Sequence, residues 1–191
     1  MKKIILASSS PRRREILEKM GLEFEIIPSD YDEVLENSDF AYEKIEDLAY
    51  CKAKDVLNKI STDTSQSLIL SADTVVVLDN EILGKPQNET DAICMLTRLS
   101  GKKHSVVTSI CVINTGNSEK KILSTTSFVE FENLDEYTIK NYVEKFNPLD
   151  KAGSYGIQEL PDGFVRAVEG SFENIIGLCP LAVEALLKED K

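Results

Sequence analysis

Ser8-Ser9-Ser10-Pro11-Arg12-Arg13-Arg14 is the stretch of this sequence richest in usable chemistry. Serine followed by proline marks a helix start, with Ser10 at the N-cap and Pro11 at the first helical position. Three arginines then fall in the first turn, where the macrodipole disfavours cations by roughly 0.3–1 kcal/mol each. A bound phosphate reverses that sign, because exposed N–H groups and guanidinium forks then share one anion. The plain alternative is a solvated cluster paired with Glu15 and Glu18. The small polar loop ahead of the helix favours the phosphate.

Other charges stand in apolar surroundings. Lys52 falls within a helical apolar stripe beside Leu48, Ala49, Ala53 and Val56. There it either snorkels from the edge, the commoner explanation for a lone case, or reaches a buried partner. Asp73 interrupts the run Leu68-Ile69-Leu70-Ser71-Ala72 and Val75-Val76-Val77. A buried carboxylate must reach a cation, donors or solvent, and alternation puts Ser71 on the same side. A turn carboxylate is the alternative, weakened by the valines that follow. Glu33, in Asp30-Tyr31-Asp32-Glu33, reads alone as solvated surface. Lys85, in Gly84-Lys85-Pro86, is either part of a simple turn or an aimed cation, since proline fixes the backbone beside it. Asp150 to Gln158 is a glycine-punctuated loop of mixed charge whose chemistry is unspecific by itself.

The elements that must position these groups alternate between helical and strand-like, which predicts an α/β class. Ile4 to Ala7 and Glu23 to Ile27 read as short strands. Ile45, Leu48, Ala49, Ala53, Val56, Leu57 and Ile60 mark one face of a helix over Tyr42 to Ile60. Leu68 to Leu78 reads as a strand turning at Asp79-Asn80 into Glu81-Ile82-Leu83. A helix over Glu89 to Leu99 ends at Gly101. Ser105 to Ile113 and Ile122 to Glu132 pair antiparallel, and Asp135 to Lys145 and Leu181 to Lys188 are helical. Asp150 to Gly177 holds five of the nine glycines and reads as irregular in parts.

The 191 residues fit a single domain over 1–191, large enough to fold without disulfide or structural metal. Thirty-three acids against 22 bases give a net charge of −11. That argues against binding a nucleic acid polymer or an anionic membrane, and leaves room for a small polyanion where basic residues converge. Four scattered cysteines and the single His104 show no zinc spacing and read as reduced thiols of a cytoplasmic protein. His104 reads as a hydrogen-bonded loop residue near Gly101. The apolar run after Lys2-Lys3 is too short for a secretory leader, and no segment reaches the roughly 18 apolar residues of a membrane span. P-loop, nucleophile-elbow and dinucleotide fingerprints are all absent.

From end to end, the chain resembles the Maf family of nucleotide pyrophosphatases. The resemblance rests on Leu6-Ala-Ser-Ser-Ser-Pro-Arg-Arg13, Asp32-Glu33, Leu48-Ala49 with Lys52-Ala53, and Ala72-Asp-Thr-Val-Val76. It continues through Leu83-Gly-Lys-Pro86, Leu99-Ser-Gly101 with His104, Asp150-Lys-Ala-Gly-Ser-Tyr-Gly-Ile-Gln158, and Gly170-Ser171 with Asn174-Ile-Ile-Gly-Leu178. It implies an elongated mixed β-sheet with flanking helices, two lobes around a cleft, like inosine triphosphate pyrophosphatases. It also implies hydrolysis of a nucleoside triphosphate between the α and β phosphates. The paired arginines and the Tyr-Gly-Ile-Gln loop resemble the branch acting on dTTP and UTP rather than the sister branch acting on 7-methyl-GTP.

Under that resemblance Asp73 matches the proton-accepting aspartate, and with Glu33 it would hold a divalent cation, Mg2+ or Mn2+. Arg13, Lys52 and Lys85 would gather the triphosphate, with Ser8 and Ser10 completing its cradle. Arg12, Thr74 and Gln158 match positions linked to base selection. Two positions depart from the pattern: Glu159 stands where glycine usually follows the glutamine, and Cys179 is inserted before Pro180. The competing expectations are a nucleotide-binding regulator of cell division with little turnover, a house-cleaning enzyme for modified nucleotides, and an interaction domain. A homodimer is compatible with each of them.

Overall fold

The structure, a computed structural model, describes residues 2–31, 39–60 and 66–188. Among these, β1 (Lys3–Leu6), α1 (Pro11–Lys19), β2 (Phe24–Ile26), α2 (Tyr42–Lys59), β3 (Ser67–Leu78) and β4 (Glu81–Leu83) come first. Then follow α3 (Glu89–Leu99), β5 (Lys103–Asn114), β6 (Lys120–Phe131) and α4 (Glu136–Phe146). Three single 3-10 turns, Pro148–Asp150, Ala152–Ser154 and Ile157–Glu159, lead to β7 (Val165–Glu169), α5 (Phe172–Ile176) and α6 (Pro180–Lys188). The class is α/β, with a mixed seven-stranded sheet flanked by helices.

The sheet runs β2-β1-β3-β5-β6-β7, with β4 also on β3. β2, β1 and β3 are parallel, and every other pairing is antiparallel. β3 explains the layout. Its even residues Leu68, Leu70 and Ala72 pack with α1 and α6, whereas Val76 and Leu78 pack with α3 and α4. Its odd residues Ile69, Val75 and Val77 face α2. Strand alternation thus divides the even face into two apolar clusters, and Thr74 stands where one gives way to the other.

The same strand also changes neighbours along its edge. Lys3–Leu6 pairs with Ser67–Leu70, and Glu81–Leu83 pairs with Val76–Leu78. Between them, residues 71–75 have a strand neighbour only on the β5 side, among the described residues. This gap lies beyond the carboxyl end of β1, against the start of α1, the usual place for a ligand in an open α/β sheet.

Most expected elements form within a residue or two of the sequence reading. The β3–β4 turn uses Asp79 and Asn80 at φ 51° and 67°, the left-handed pair a two-residue hairpin needs. β7 and α5 lie in the stretch read as irregular. β7 is mostly exposed, so it lacks the apolar alternation that signals a strand. α5 has five residues, too few for helical periodicity; Ser171 caps its start by accepting from Asn174 N, and Gly177 closes it at φ 129°. His104 corrects an expectation: it is not in a loop but buried in β5 opposite Val129, with Nε2 2.8 Å from the Tyr155 hydroxyl. No helix among the described residues is long and apolar enough to cross a membrane.

Candidate functional site

Lys52 and Asp73 meet at the floor of the gap. Lys52 lies on the α2 face that packs on β3, one turn from Ala49 and Val56, and Asp73 lies on the odd face of β3. Lys52 Nζ donates to Asp73 Oδ1, with the side chains only 8% and 5% exposed. Lys52 therefore does not snorkel; its partner is the carboxylate that interrupts the valine run. Ser71, on the same side of the strand, donates its hydroxyl to Ala49 O, a second tie between β3 and α2. The ion pair sits between an apolar cluster around Ile69 and Val56 and another around Val75 and Ile45. Charges so placed survive only because they are paired and open to the cleft.

One wall is the β1–α1 junction. Ser10 is the N-cap of α1 and Pro11 its first residue, but the Ser10 side chain makes no capping hydrogen bond. Ser8 is buried and its Oγ accepts from Ser10 N at 3.2 Å. First-turn N–H groups without a side-chain cap are what an anion can occupy. Arg13 spans three elements: Nη1 donates to Ser8 Oγ at 3.2 Å, Nη2 to Thr74 Oγ1 at 3.3 Å, and Nε to Gly177 O at 3.0 Å. Thr74 Oγ1 lies 3.0 Å from Thr108 Oγ1, which donates to Asn174 O at 2.9 Å. Buried Asn174 donates in turn to Val106 O and Ser127 Oγ, both at 3.1 Å. A polar seam thus crosses the sheet beneath Arg13, along the divide between the two apolar clusters.

The opposite wall is the turn-rich segment after α4. Gly153, at φ 64°, donates its N–H to Gly84 O at 3.0 Å and so joins this segment to the loop carrying Lys85. Pro86 is buried and anchors that loop, while Lys85 is exposed at the cleft. Gln158 is exposed in the Ile157–Glu159 turn, also on the cleft. Arg12 Nη1 lies 3.3 Å from Asp150 Oδ2.

The cleft these walls enclose is about 320 Å3 in volume. Among the described residues it is lined by Arg12, Arg13, Lys52, Lys85 and Lys151 against the carboxylates Asp73 and Asp150. A cationic cleft in a chain of net charge −11 is a local concentration of the few bases available, as a polyphosphate requires. Burial alone would raise the Asp150 carboxyl. The hydrogen bond from Lys151, with the charges of Lys151 and Arg12, overturns that and holds it below the ordinary range.

Of the residues expected from sequence, Ser8, Ser10, Arg12, Arg13, Lys52, Asp73, Thr74, Lys85 and Gln158 all line this one cleft. Glu33 lies outside the described residues. Sequence reasoning missed Asp150, Lys151, Tyr155 and Asn174 as site or support residues. The first three stand in the glycine-punctuated loop that was noted without roles, and the alternation of Asp150 and Lys151 was the available signal. It also missed the tether of the segment after β2: Lys59 Nζ contacts Asp30 Oδ2 at 2.8 Å and Asp55 Oδ2 at 2.7 Å, and Ser29 Oγ donates to Asp55 at 2.9 Å.

No cluster of three or more His, Cys, Asp or Glu side chains occurs among the described residues. The cleft interior offers the Asp73 carboxylate. That donor set does not make a closed zinc-type site; it suits a hard cation that takes one or two carboxylates and draws its other ligands from phosphate and water.

A family model described as Maf-like protein matches residues 3–190. The chain belongs to the Maf family. Family members named dTTP/UTP pyrophosphatase are similar along nearly their whole length. That of Ruminiclostridium cellulolyticum is 47% identical over 93% of this chain and 91% of its own. That of Caldicellulosiruptor bescii is 42% identical over 93% and 89%. That of Caldicellulosiruptor saccharolyticus is 38% identical over 99% and 95%. Among solved structures, a nucleoside-triphosphatase / dITP/XTP pyrophosphatase from Mycobacterium abscessus aligns with 98% of this chain and 94% of its own. Its TM-score is 0.48 and its identity 15%, a likeness too loose to support any step below.

Proposed function

We propose that this Maf-family chain is a cytoplasmic nucleoside triphosphate pyrophosphatase, one domain over residues 1–191, that hydrolyses dTTP and UTP to the monophosphate and pyrophosphate. The observation that carries this reading is the buried Lys52–Asp73 pair at the floor of a cationic cleft that Arg13 also lines. The names of the similar family members supply the substrates.

In this reading water attacks the α-phosphorus, the bond from that phosphorus to the α–β bridging oxygen breaks, and pyrophosphate leaves. Asp73 takes the proton of the attacking water, and general base action of this kind contributes about 10²–10⁴-fold. Lys52 holds the Asp73 carboxylate in place through their contact. Arg13, already locked by Ser8, Thr74 and Gly177, presents a rigid fork to the phosphates, and Lys85 meets them from the facing loop. Ser8, Ser10 and the first-turn N–H groups complete the cradle. Gln158, offering both a donor and an acceptor, matches the imide edge of uracil or thymine, beside Arg12 and Thr74. Asp73, with Glu33 as the second carboxylate, would hold a Mg2+ or Mn2+ ion, which would neutralise phosphate charge and lower the pKa of water.

The test is pyrophosphate release from dTTP, UTP, 7-methyl-GTP and modified pyrimidine triphosphates, with Mg2+, with Mn2+ and after chelation. Release from dTTP and UTP that needs the metal and falls at least 10²-fold in Asp73→Asn is expected. Much faster release from modified pyrimidines would make the enzyme a house-cleaning one. Tight nucleotide binding without release, equal in wild type and Asp73→Asn, would overturn the proposal in favour of a regulator.

A further inference from the structure

Between the first turn of α1 and the Ile157–Glu159 turn runs a row of alternating charges to which the phosphate chemistry above assigns no step. Arg12 Nη1 lies 3.3 Å from Asp150 Oδ2. Lys151 Nζ donates to Asp150 Oδ1 at 2.9 Å. The same ammonium is 3.2 Å from Glu159 Oε2, an ion pair without hydrogen-bond geometry. Lys151 is only 7% exposed, so its charge depends on these two carboxylates rather than on water. The row crosses Gly156, where a Cβ would stand 3.0 Å from Lys151 Cε and 3.2 Å from Glu159 Oε2. A side chain there would push the pair apart.

The two ends of the row matter. At one end is Arg12. At the other, Glu159 directly follows Gln158 in a turn none of whose three residues is buried. That turn is closed by one backbone bond, Glu159 N to Gly156 O at 2.9 Å. Ile157 packs the turn against the apolar cluster of α3 and α4, and Gly156 N donates to the Tyr142 hydroxyl at 3.2 Å; the contact of Glu159 with Lys151 adds an ionic tie on the side of Gln158. Two carboxylates already lie against the Lys151 ammonium, so it is engaged within the row. Against burial, the Lys151 hydrogen bond and the charges of Lys151 and Arg12 hold the Asp150 carboxyl below the ordinary range.

We propose that Lys151 is a positioning residue for base selection: one buried ammonium holds Arg12 through Asp150 and the Gln158 turn through Glu159, fixing the separation of two side chains that face the base. This rests on the pyrimidine triphosphate reading above. It gives Glu159, which stands where the resemblance expects glycine, a role as the second carboxylate of the row. Side chains that face the base set the ratio between bases, so loosening the row is read in selectivity.

The test compares Lys151→Met and Glu159→Gln with wild type, measuring kcat and KM for UTP, CTP and ATP alongside thermal unfolding. Binding of non-hydrolysable α,β-methylene UTP and CTP is measured in parallel. The expected result is a fall of about tenfold or more in the UTP-over-CTP preference for Lys151→Met, carried by KM and by the analogue binding ratio. Glu159→Gln should show a smaller fall, and Glu159→Asp a partial return. A uniform loss for all three nucleotides with a lowered Tm would overturn the proposal, leaving an ordinary structural ion pair; unchanged ratios would overturn it too. If Lys151→Met does not fold, Glu159→Gln and Asp150→Asn carry the same comparison. Wild-type protein that binds both analogues equally sinks the proposal whatever its turnover. Wild-type protein that prefers the UTP analogue but releases no pyrophosphate sinks the enzymatic reading alone, and the binding ratio still decides the role of Lys151.

Discussion

Lys52 and Asp73, 21 residues apart in sequence, form one ion pair closed between α2 and β3 with less than a tenth of either side chain exposed. Breaking a buried pair by removing one partner typically costs about 3–5 kcal/mol, because the other charge stays buried. Lys52→Met should therefore destabilise the protein by an amount in that range, and adding Asp73→Asn should restore part of it. Urea unfolding of wild type, both single variants and the double variant measures the coupling. A double variant no more stable than Lys52→Met would mean that the two charges are held independently.

Arg13 ties the β1–α1 junction, β3 and the turn before α6 together. A lysine keeps the charge and loses the planar fork that reaches three acceptors. Arg13→Lys should lower kcat/KM for dTTP or UTP by about tenfold or more and lower Tm as well, since a hydrogen bond to a charged group is worth about 1.5–3 kcal/mol. Steady-state kinetics with calorimetry checks both. Wild-type kcat/KM in Arg13→Lys would leave charge alone, not geometry, as the requirement.

Gly153 holds the two loops of the outer wall together. Its φ of 64° suits glycine, and a Cβ there would stand 2.7 Å from Val76 Cγ2 and 2.9 Å from Val76 Cβ. Overpacking and backbone strain each cost about 1–3 kcal/mol, so Gly153→Ala should be clearly destabilised. Its N–H bond to Gly84 O would shift with it, displacing the loop of Lys85. Activity should fall together with stability, and pairing Gly153→Ala with Val76→Ala should recover part of both. Recovery of neither would show that the close contact is not the cause.

His104 makes stability depend on pH. Burial pushes its pKa down from 6.5 to about 4. The unfolded chain therefore takes up the proton more readily, so the contribution is whole above about pH 6.5 and is lost as pH falls from there towards 4. The span corresponds to at most about 3 kcal/mol. Urea unfolding between pH 4.5 and 7.5 should show stability rising with pH, and His104→Gln should flatten that rise. An equal slope in wild type and variant would assign the dependence to other groups.

Arg13, Lys52 and Asp73 were legible because each broke a local rule: arginines at a helix start, a lysine in an apolar stripe, an aspartate among valines; Thr74, Gln158 and Glu33 entered only through the family resemblance. The partners were less legible. Snorkelling, the commoner explanation for a lone lysine, failed at Lys52 because the strand packed against α2 carries Asp73. The loop expected for His104 failed because β5 begins at Lys103, one residue before it. Lys151 went unrecognised because a lysine beside an aspartate in a glycine-rich loop reads as surface until its burial is known.

What the sequence by itself determined is local: periods of two and of 3.6, a serine–proline helix start, a hairpin turn, and an acidic chain whose bases cluster at a few points. Those follow from interactions among neighbours along the chain. Only the tertiary structure decided that β3 changes neighbours from β1 to β4 at residues 71–75, that Thr74 marks the divide between two apolar clusters, and that a cleft opens there. It also decided that Lys151 joins Arg12 to the turn of Gln158. Ion pairs and strand neighbours between distant residues depend on which surfaces pack, and packing is a property of the whole chain.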